Sequence, residues 1–324
     1  MAGEGEGSRA GPEISEAAPG IMAVDLLERG RPHVTSGYLI RAERSAIVDT
    51  GPARSVPVWL EALAALGVAP ADVAYVVVTH IHLDHAGGAG VLLRHLPRAQ
   101  VVVHRNGARH LVDPSRLVAS ARGVFGPRLE AYFGLPEPVP EARLLVPEDG
   151  RDLDLGAGHR LRFLDAFGHA RHQHMILDAG ADSLFCGDEF GKRVVTVAED
   201  YLLPETVPTQ FDPEAMMRSA DLLRTLRPQA VLFAHFGRCP LGAEAISRRI
   251  REQTAAFTAL GRAGDQTLPW EDVHARLIEH VRRDLAARGI AWTPAVEHDL
   301  AEELGIWSQG IADYHARRRQ AMDL

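Results

Sequence analysis

The sequence predicts a layered α/β protein. Three observations carry that expectation: a continuous apolar run at residues 73–79, the loop, helix and strand that follow it, and further strands and helices beyond residue 160. The chain has 324 residues, 46% hydrophobic and 24% charged, ordinary globular values that accommodate one large domain or two smaller ones.

Residues 1–20 are mainly Gly, Glu, Ala and Pro without an apolar core segment, which reads as a short disordered tail and not as a secretory signal. From residue 32 to 51 the pattern is a β-meander: His33-Val34-Thr35, a turn at Ser36-Gly37, then strands at 38–40 and 46–51. Val56, Leu60, Leu63 and Leu66 lie near helical spacing. The apolar run at 73–79 is a buried strand, followed by a polar loop, a short helix at 87–96 and a strand at 100–104.

Residues 106–135 read as a helical insertion, with Asp113-Pro114 as cap and first position and Leu117, Ala121 and Val124 along one face. Strands resume at 161–164 and 183–186. Asp212-Pro213-Glu214 opens another helix, whose apolar face carries Met216, Ala220, Leu223 and Leu226, and Pro228 separates it from a strand at 230–234. Beyond Gly242 the pattern is helical, with stripes at Ile246, Ile250, Phe257, Leu260 and at Val273, Leu277, Val281, Leu285. No internal repeat is visible. The organisation reads as a tail (1–20), a layered α/β domain (21–242) and a C-terminal helical region (243–324).

Composition excludes several classes. No run of 18 apolar residues is present, so no transmembrane helix is expected. A net charge of −8 opposes nonspecific binding to nucleic acid, and the helical C-terminus balances Arg against acidic residues. Two cysteines, Cys186 and Cys239, build no disulfide framework and suit a reducing cytoplasm. Cys186 reads as a buried strand residue; Cys239 follows a candidate ligand by four positions, where a reactive thiol is the alternative to a buried one. Arg116, Arg122 and Arg128 in the insertion read as solvated, with contact to an anionic substrate as the alternative.

The 16 histidines are the informative feature. Thr79-His80-Ile81-His82-Leu83-Asp84-His85-Ala86-Gly87-Gly88 puts three imidazoles and a carboxylate within six residues, directly after a buried strand. Imidazole nitrogen and carboxylate oxygen are ligands for zinc and its first-row neighbours. His80 and His82, two apart in a loop, are suited to share one ion, with Asp84 and His85 reaching a second. Three more strand ends carry Gly168-His169, Gly187-Asp188 and His235-Phe236-Gly237. Strand ends are where open α/β sheets place function.

This ensemble resembles the metallo-β-lactamase-fold hydrolase superfamily, over roughly residues 32–240 and including the upstream Val48-Asp49-Thr50-Gly51. The resemblance implies an αββα four-layer sandwich with a dinuclear site at one edge. His80, His82 and His169 would hold the first ion, Asp84, His85 and His235 the second, and Asp188 would bridge them. Two zinc ions are the expected cofactors, with iron or manganese left open. A hydroxide between the ions, oriented by Asp84 as catalytic residue, would be the nucleophile.

The third motif departs from the family's Pro-Gly-His-x-x-Gly-His: here it is Phe167-Gly168-His169-Ala170-Arg171-His172. His172 and His174 therefore read first as hydrogen-bonding partners behind the ligands, then as ordinary partly buried histidines, and last as ligands. Gly191 stands where acyl-homoserine lactonases of the family place a Tyr, and Tyr201 reads as an exposed loop residue or a substitute donor. Asp188 argues against β-lactamase activity, which generally lacks it, and His82 against a flavodiiron protein, which has Glu there.

The expected function is a dinuclear metal-dependent hydrolase of a small acyl substrate, an ester, thioester or lactone. The alternatives are a phosphodiesterase or nuclease with the same site, and a mononuclear iron thiol or persulfide dioxygenase. A noncatalytic metal-binding scaffold is disfavoured by the filled ligand set. The partner is a small molecule, with neither nucleic acid nor membrane favoured and homodimer formation left open.

Overall fold

The computed structural model describes residues 11–322, in which two β-sheets are sandwiched between helical layers. The first sheet has seven strands in sequential order: β1 (Ile14–Ala18), β2 (Ile21–Asp25), β3 (Ser36–Ile40), β4 (Ser45–Val48), β5 (Val73–Val77), β6 (Gln100–Val102) and β7 (Leu144–Leu145). Strands β1 to β4 are antiparallel neighbours, and β4 to β7 run parallel. The parallel pairs need crossovers. Helix α1 (Val56–Ala65) makes the first, and α2 (Leu83–Ala86) with α3 (Ala89–Leu93) makes the second.

The insertion is three helices and not one: α4 (Arg105–Val112), α5 (Ser115–Phe125) and α6 (Leu129–Phe133). Asp113-Pro114 breaks the first junction, where Asp113 Oδ1 accepts from the Ser115 N–H at 3.0 Å, and Gly126-Pro127 lies at the second.

The second sheet is ordered β15-β14-β11-β10-β9-β8, from β8 (Asp152–Gly156), β9 (His159–Asp165), β10 (His174–Asp178), β11 (Ser183–Gly187), β14 (Ala230–Phe233) and β15 (Gly237–Arg238). Between β11 and β14 lie the hairpin β12 (Lys192–Arg193) and β13 (Leu202–Leu203), then helix α7 (Pro213–Leu226). Asp212 caps α7 by accepting from the Ala215 N–H at 2.9 Å.

Alternation along the strands builds the layers. Tyr38, Ile40, Val48, Val77, Phe163 and Phe185 fill the space between the sheets. Leu39, Ile47, Val76 and Val101 face α1, α3 and α4, while Leu184, Cys186 and Val231 face α7 and α8 (Ala243–Leu260). This is the expected αββα sandwich.

Three expectations are corrected. Residues 14–18 are not tail: β1 pairs with β2 and buries Ala17 and Ala18, a stability supplied by a distant partner that composition does not register. Residues 1–10 of that reading lie outside the described residues. Ser36-Gly37 belongs to β3, where the two residues pair with Asp25 and Val24 of β2, and the turn precedes it; Gly37 is needed there because a Cβ would come within 2.3 Å of the Trp59 indole. Nor is residue 242 a structural boundary, since Ala243, Ile246 and Ile250 pack in the core shared with α7.

The remaining C-terminal residues form a hairpin, β16 (Arg262–Ala263) and β17 (Gln266–Thr267), then α9 (Trp270–Ala287) and α10 (Pro294–Met322). Leu277, Val281, Leu300, Leu304 and Ile311 pack together there with Tyr201 and Leu203. No helix among the described residues is long and apolar enough to cross a membrane.

Candidate metal centre

Ligand-bearing residues converge from four strand ends on one edge of the sandwich. After β5, the chain enters the loop that carries His80 and His82, then α2 with Asp84 and His85. His169 follows β9, Asp188 follows β11 and His235 follows β14. One group brings together ligand atoms of His80, His82, His169 and Asp188, all within 4.8 Å of one another, and a second does so for Asp84, His85 and His235.

Within the first group, His82 Nδ1 lies 2.9 Å from His80 Nε2 and 3.0 Å from His169 Nε2. Nitrogens on one tetrahedral zinc, with bonds of 2.0–2.1 Å, would be about 3.3 Å apart. In the second, Asp84 Oδ2 is 3.3 Å from His85 Nε2 and 3.4 Å from His235 Nε2. Asp188 reaches both groups, with Oδ2 3.5 Å from His80 Nε2 and 3.1 Å from His85 Nε2, and Oδ1 3.8 Å from His235 Nε2.

Four of the five imidazoles, all but His82, are aimed by a contact from their other nitrogen. His169 Nδ1 donates to the Glu205 carbonyl at 3.1 Å and His235 Nδ1 to the Val34 carbonyl at 2.8 Å. The Thr79 hydroxyl donates to Asp49 Oδ2 at 2.8 Å and is 3.1 Å from His80 Nδ1, whose proton it accepts. His85 Nδ1 faces Asp49 Oδ2 at 3.4 Å.

The electrostatics fit cations. Burial pushes His80 well down, His82 to about 3 and His169 below its ordinary value, so these imidazoles are neutral and present lone pairs. Burial would also lower His85 and His235, but Asp188, with Asp84 beside His85 and Glu205 beside His235, holds His85 well above its ordinary value and His235 at about 9. Burial would raise Asp84 and Asp188, yet chiefly His85 holds both well below the usual carboxylate range. His85 Nε2 and Asp188 Oδ1 are buried without an aligned hydrogen-bond partner among the described residues. Donor set, spacing and orphaned atoms suit divalent ions.

His172 and His174 part ways. His172 lies beside the ligands, its ring parallel to His80 at 6.1 Å and its Nε2 3.2 Å from Gln210 Nε2. His174 donates from Nε2 to the Val78 carbonyl at 2.9 Å, bracing the strand that delivers the loop.

Tyr201 is neither exposed nor at the site; it is fully buried in the C-terminal core, because the hairpin turns it inward. Cys239 is buried among α7 and α8 residues, with burial raising its thiol. Gly191 has φ +72, and a Cβ there would come within 2.0 Å of the Leu203 carbonyl oxygen, so no tyrosine fits that backbone.

Several contributors escaped the motifs. Glu189, pushed to about 7 mainly by burial, accepts from the Gly168 and His169 N–H groups at 3.0 and 3.2 Å and shapes the His169 loop. Glu205 lies with Asp188 and His235 in a further potential ligand group. Lys192, the single lysine, pairs with Glu303. Glu189 adjoins Asp188 in sequence, which was the one available signal; the others come from segments without a motif.

The ligands open into a cavity of about 260 Å³, lined on the insertion side by Leu117, Ala121, Val124 and Phe125 and on the α10 side by Ile306 and Trp307. Neither Arg116, Arg122 nor Arg128 lines it; Arg128 instead pairs with Glu302 at 2.9 Å.

Comparison with known proteins agrees with this geometry. A metallo-beta-lactamase fold-containing protein of Sulfurisphaera tokodaii is 30% identical over 212 residues, 64% of this chain and 74% of its own. A crystal structure of the archaeal metallo-beta-lactamase superfamily protein from Sulfolobus tokodaii has a TM-score of 0.62 at 21% identity, over 93% of this chain and 98% of that one. A putative diflavin flavoprotein of Thermosynechococcus vestitus is 30% identical over 51% of this chain but only 24% of its own length. An atrochrysone carboxyl ACP thioesterase of Aspergillus chevalieri is 33% identical over 32% of this chain and 35% of its own. The model of the metallo-beta-lactamase superfamily matches residues 30–235, and the chain belongs to that superfamily.

Proposed function

We propose that the protein is a dinuclear metal-dependent hydrolase of a small acyl substrate, an ester, thioester or lactone, and that zinc is its metal. The observation that carries this reading is the pair of ligand groups sharing Asp188. When bound, two divalent ions supply Lewis acidity and an acidified water. The chain's own residues do the rest. Asp84, half-buried and open to the cavity, is placed to accept the proton of the attacking water, and its contacts with His85 and His235 hold it in position.

The cavity favours a neutral acyl group over a phosphodiester. Its one lysine is held by Glu303, and Glu28 and Glu205 also line it, so beyond the ions themselves the described lining offers a phosphate no unpaired cationic side chain. The thioesterase relative supports acyl chemistry, whereas the flavoprotein relative motivates an iron oxidoreductase as the rival. Two free cysteines suit the proposed cytoplasmic setting.

Metal content of untagged protein purified without added metal, followed by an ester, thioester, lactone and phosphodiester panel, tests the proposal. About two equivalents of zinc and turnover of an acyl substrate are expected. Iron, with oxidation of thiols or persulfides and no hydrolysis, would overturn it.

A further inference from the structure

The cavity beside the ligands has an apolar wall that metal binding does not require. Helix α5 lies over the site without one fully buried residue in its eleven. Leu117, Ala121, Val124 and Phe125 follow i, i+4, i+7 and i+8 spacing, so they form one stripe, and all four line the cavity. Across from them α10 contributes Ile306 and Trp307. Leu117, Ala121 and Phe125 also pack on Leu83, Leu129 and Phe133, which a structural role alone would explain. Val124 and Ile306 are different: neither belongs to a packed apolar cluster among the described residues, and Val124 is 42% exposed.

Scattered exposed apolar residues carry no message, but a continuous stripe beside reactive groups does. At about 260 Å³ the space suits a small molecule, not a protein helix some 10 Å across. Its charged residues are three glutamates and one glutamate-bound lysine besides the ligands, which disfavours an anionic chain terminus.

We infer that the α5–α10 wall binds a medium-length hydrophobic acyl chain of the substrate, with Val124 and Ile306 gripping the chain distal to the scissile carbonyl. This names the substrate class for the hydrolase reading and rests on it. The reaction is the hydrolysis already proposed: water adds to the acyl carbon, the bond to the alkoxide or thiolate breaks, and the leaving group takes a proton.

The test uses zinc-loaded full-length protein and p-nitrophenyl esters with acyl chains of two, four, six and eight carbons, alongside calorimetric binding of butyrate and octanoate. Burial of each methylene is worth up to about fourfold, so kcat/KM is expected to rise at least tenfold from two to eight carbons, and octanoate to bind at least tenfold tighter than butyrate. Val124→Asp and Ile306→Asp should each cut the eight-to-two-carbon ratio of kcat/KM and the octanoate-to-butyrate affinity ratio at least fivefold. A flat or falling chain-length profile with esters still hydrolysed would overturn the acyl wall and leave the hydrolase reading intact. Ratios unmoved by both variants would also overturn it. If no ester is hydrolysed, thioesters and lactones of the same chain lengths are assayed in their place; failure of all three classes overturns the hydrolase reading, and the octanoate preference with its loss in the variants then decides the wall by itself.

Discussion

Asp49 grips Thr79 twice, accepting its backbone N–H at 2.7 Å and its hydroxyl at 2.8 Å. The contact ties the end of β4 to the first residue of the ligand loop, and the same carboxylate faces His85 at 3.4 Å. Asp49 does so at φ 56, a backbone region that Asp tolerates better than most residues.

Asp49→Ala leaves a buried N–H and hydroxyl unpaired and frees His85 to turn. Stability should fall by about 1–3 kcal/mol in denaturant titration. Zinc affinity at the second ion should drop roughly 10–100-fold in competition with a chelator. Unchanged zinc affinity would mean that the loop holds its shape without this carboxylate.

His169→Ala and Asp84→Ala separate the two ions. Each variant is expected to bind one fewer zinc by mass spectrometry while its far-ultraviolet circular dichroism stays native. Turnover of an acyl ester should fall beyond the roughly 10–100-fold typical of losing an outer hydrogen-bond partner. Full activity in either variant would remove the dinuclear assignment.

His174 makes a pH prediction. Burial lowers it from 6.5 to about 4, against a smaller upward pull from its bond to Val78. The folded state therefore resists protonation that the unfolded chain accepts, so this stabilisation is complete above pH 6.5 and is lost as pH falls from 6.5 towards 4. Relative to His174→Gln, the wild type should lose about 2 kcal/mol between pH 7.5 and 5. Denaturant unfolding of both proteins at fixed zinc measures this, and parallel pH profiles would contradict it.

Glu302 on α10 holds the insertion, pairing with Arg29 at 2.7 Å and with Arg128 at 2.9 Å, while Arg29 lies over the Tyr132 ring at 4.2 Å. Partly exposed pairs are each worth about 0–1 kcal/mol, so Glu302→Ala should change global stability little. Local opening of α5 should increase, because that helix has no buried residue of its own. Hydrogen exchange across residues 115–133 reads this directly, and unchanged protection would assign the insertion's order to other contacts.

Much of the site was legible because its chemistry is local. His80, His82, Asp84 and His85 fall within six residues, and a loop plus one helical turn suffices to bring them into the two neighbouring candidate ligand groups. His169, Asp188 and His235 were legible for another reason: each follows a strand-like run, alternating in β9 and apolar in β11 and β14, and strand ends of one sheet share an edge. Tyr201 was misread because a tyrosine in a polar stretch carries no mark of the helices that later cover it. Glu189, Glu205 and Lys192 act through contacts with residues distant in the chain, where spacing has no signal.

Local patterning by itself determined the α/β layering, the helical insertion and the residues able to hold metal, since strand alternation, capping and ligand type are properties of short segments. Only the tertiary structure decided that β1 exists, that α8 completes the outer layer of the sandwich, and which residues of α5 and α10 line the cavity beside the candidate ligands as an apolar wall. Each of these depends on surface buried between segments far apart in sequence, and that burial becomes favourable only once the sheets bring the segments together.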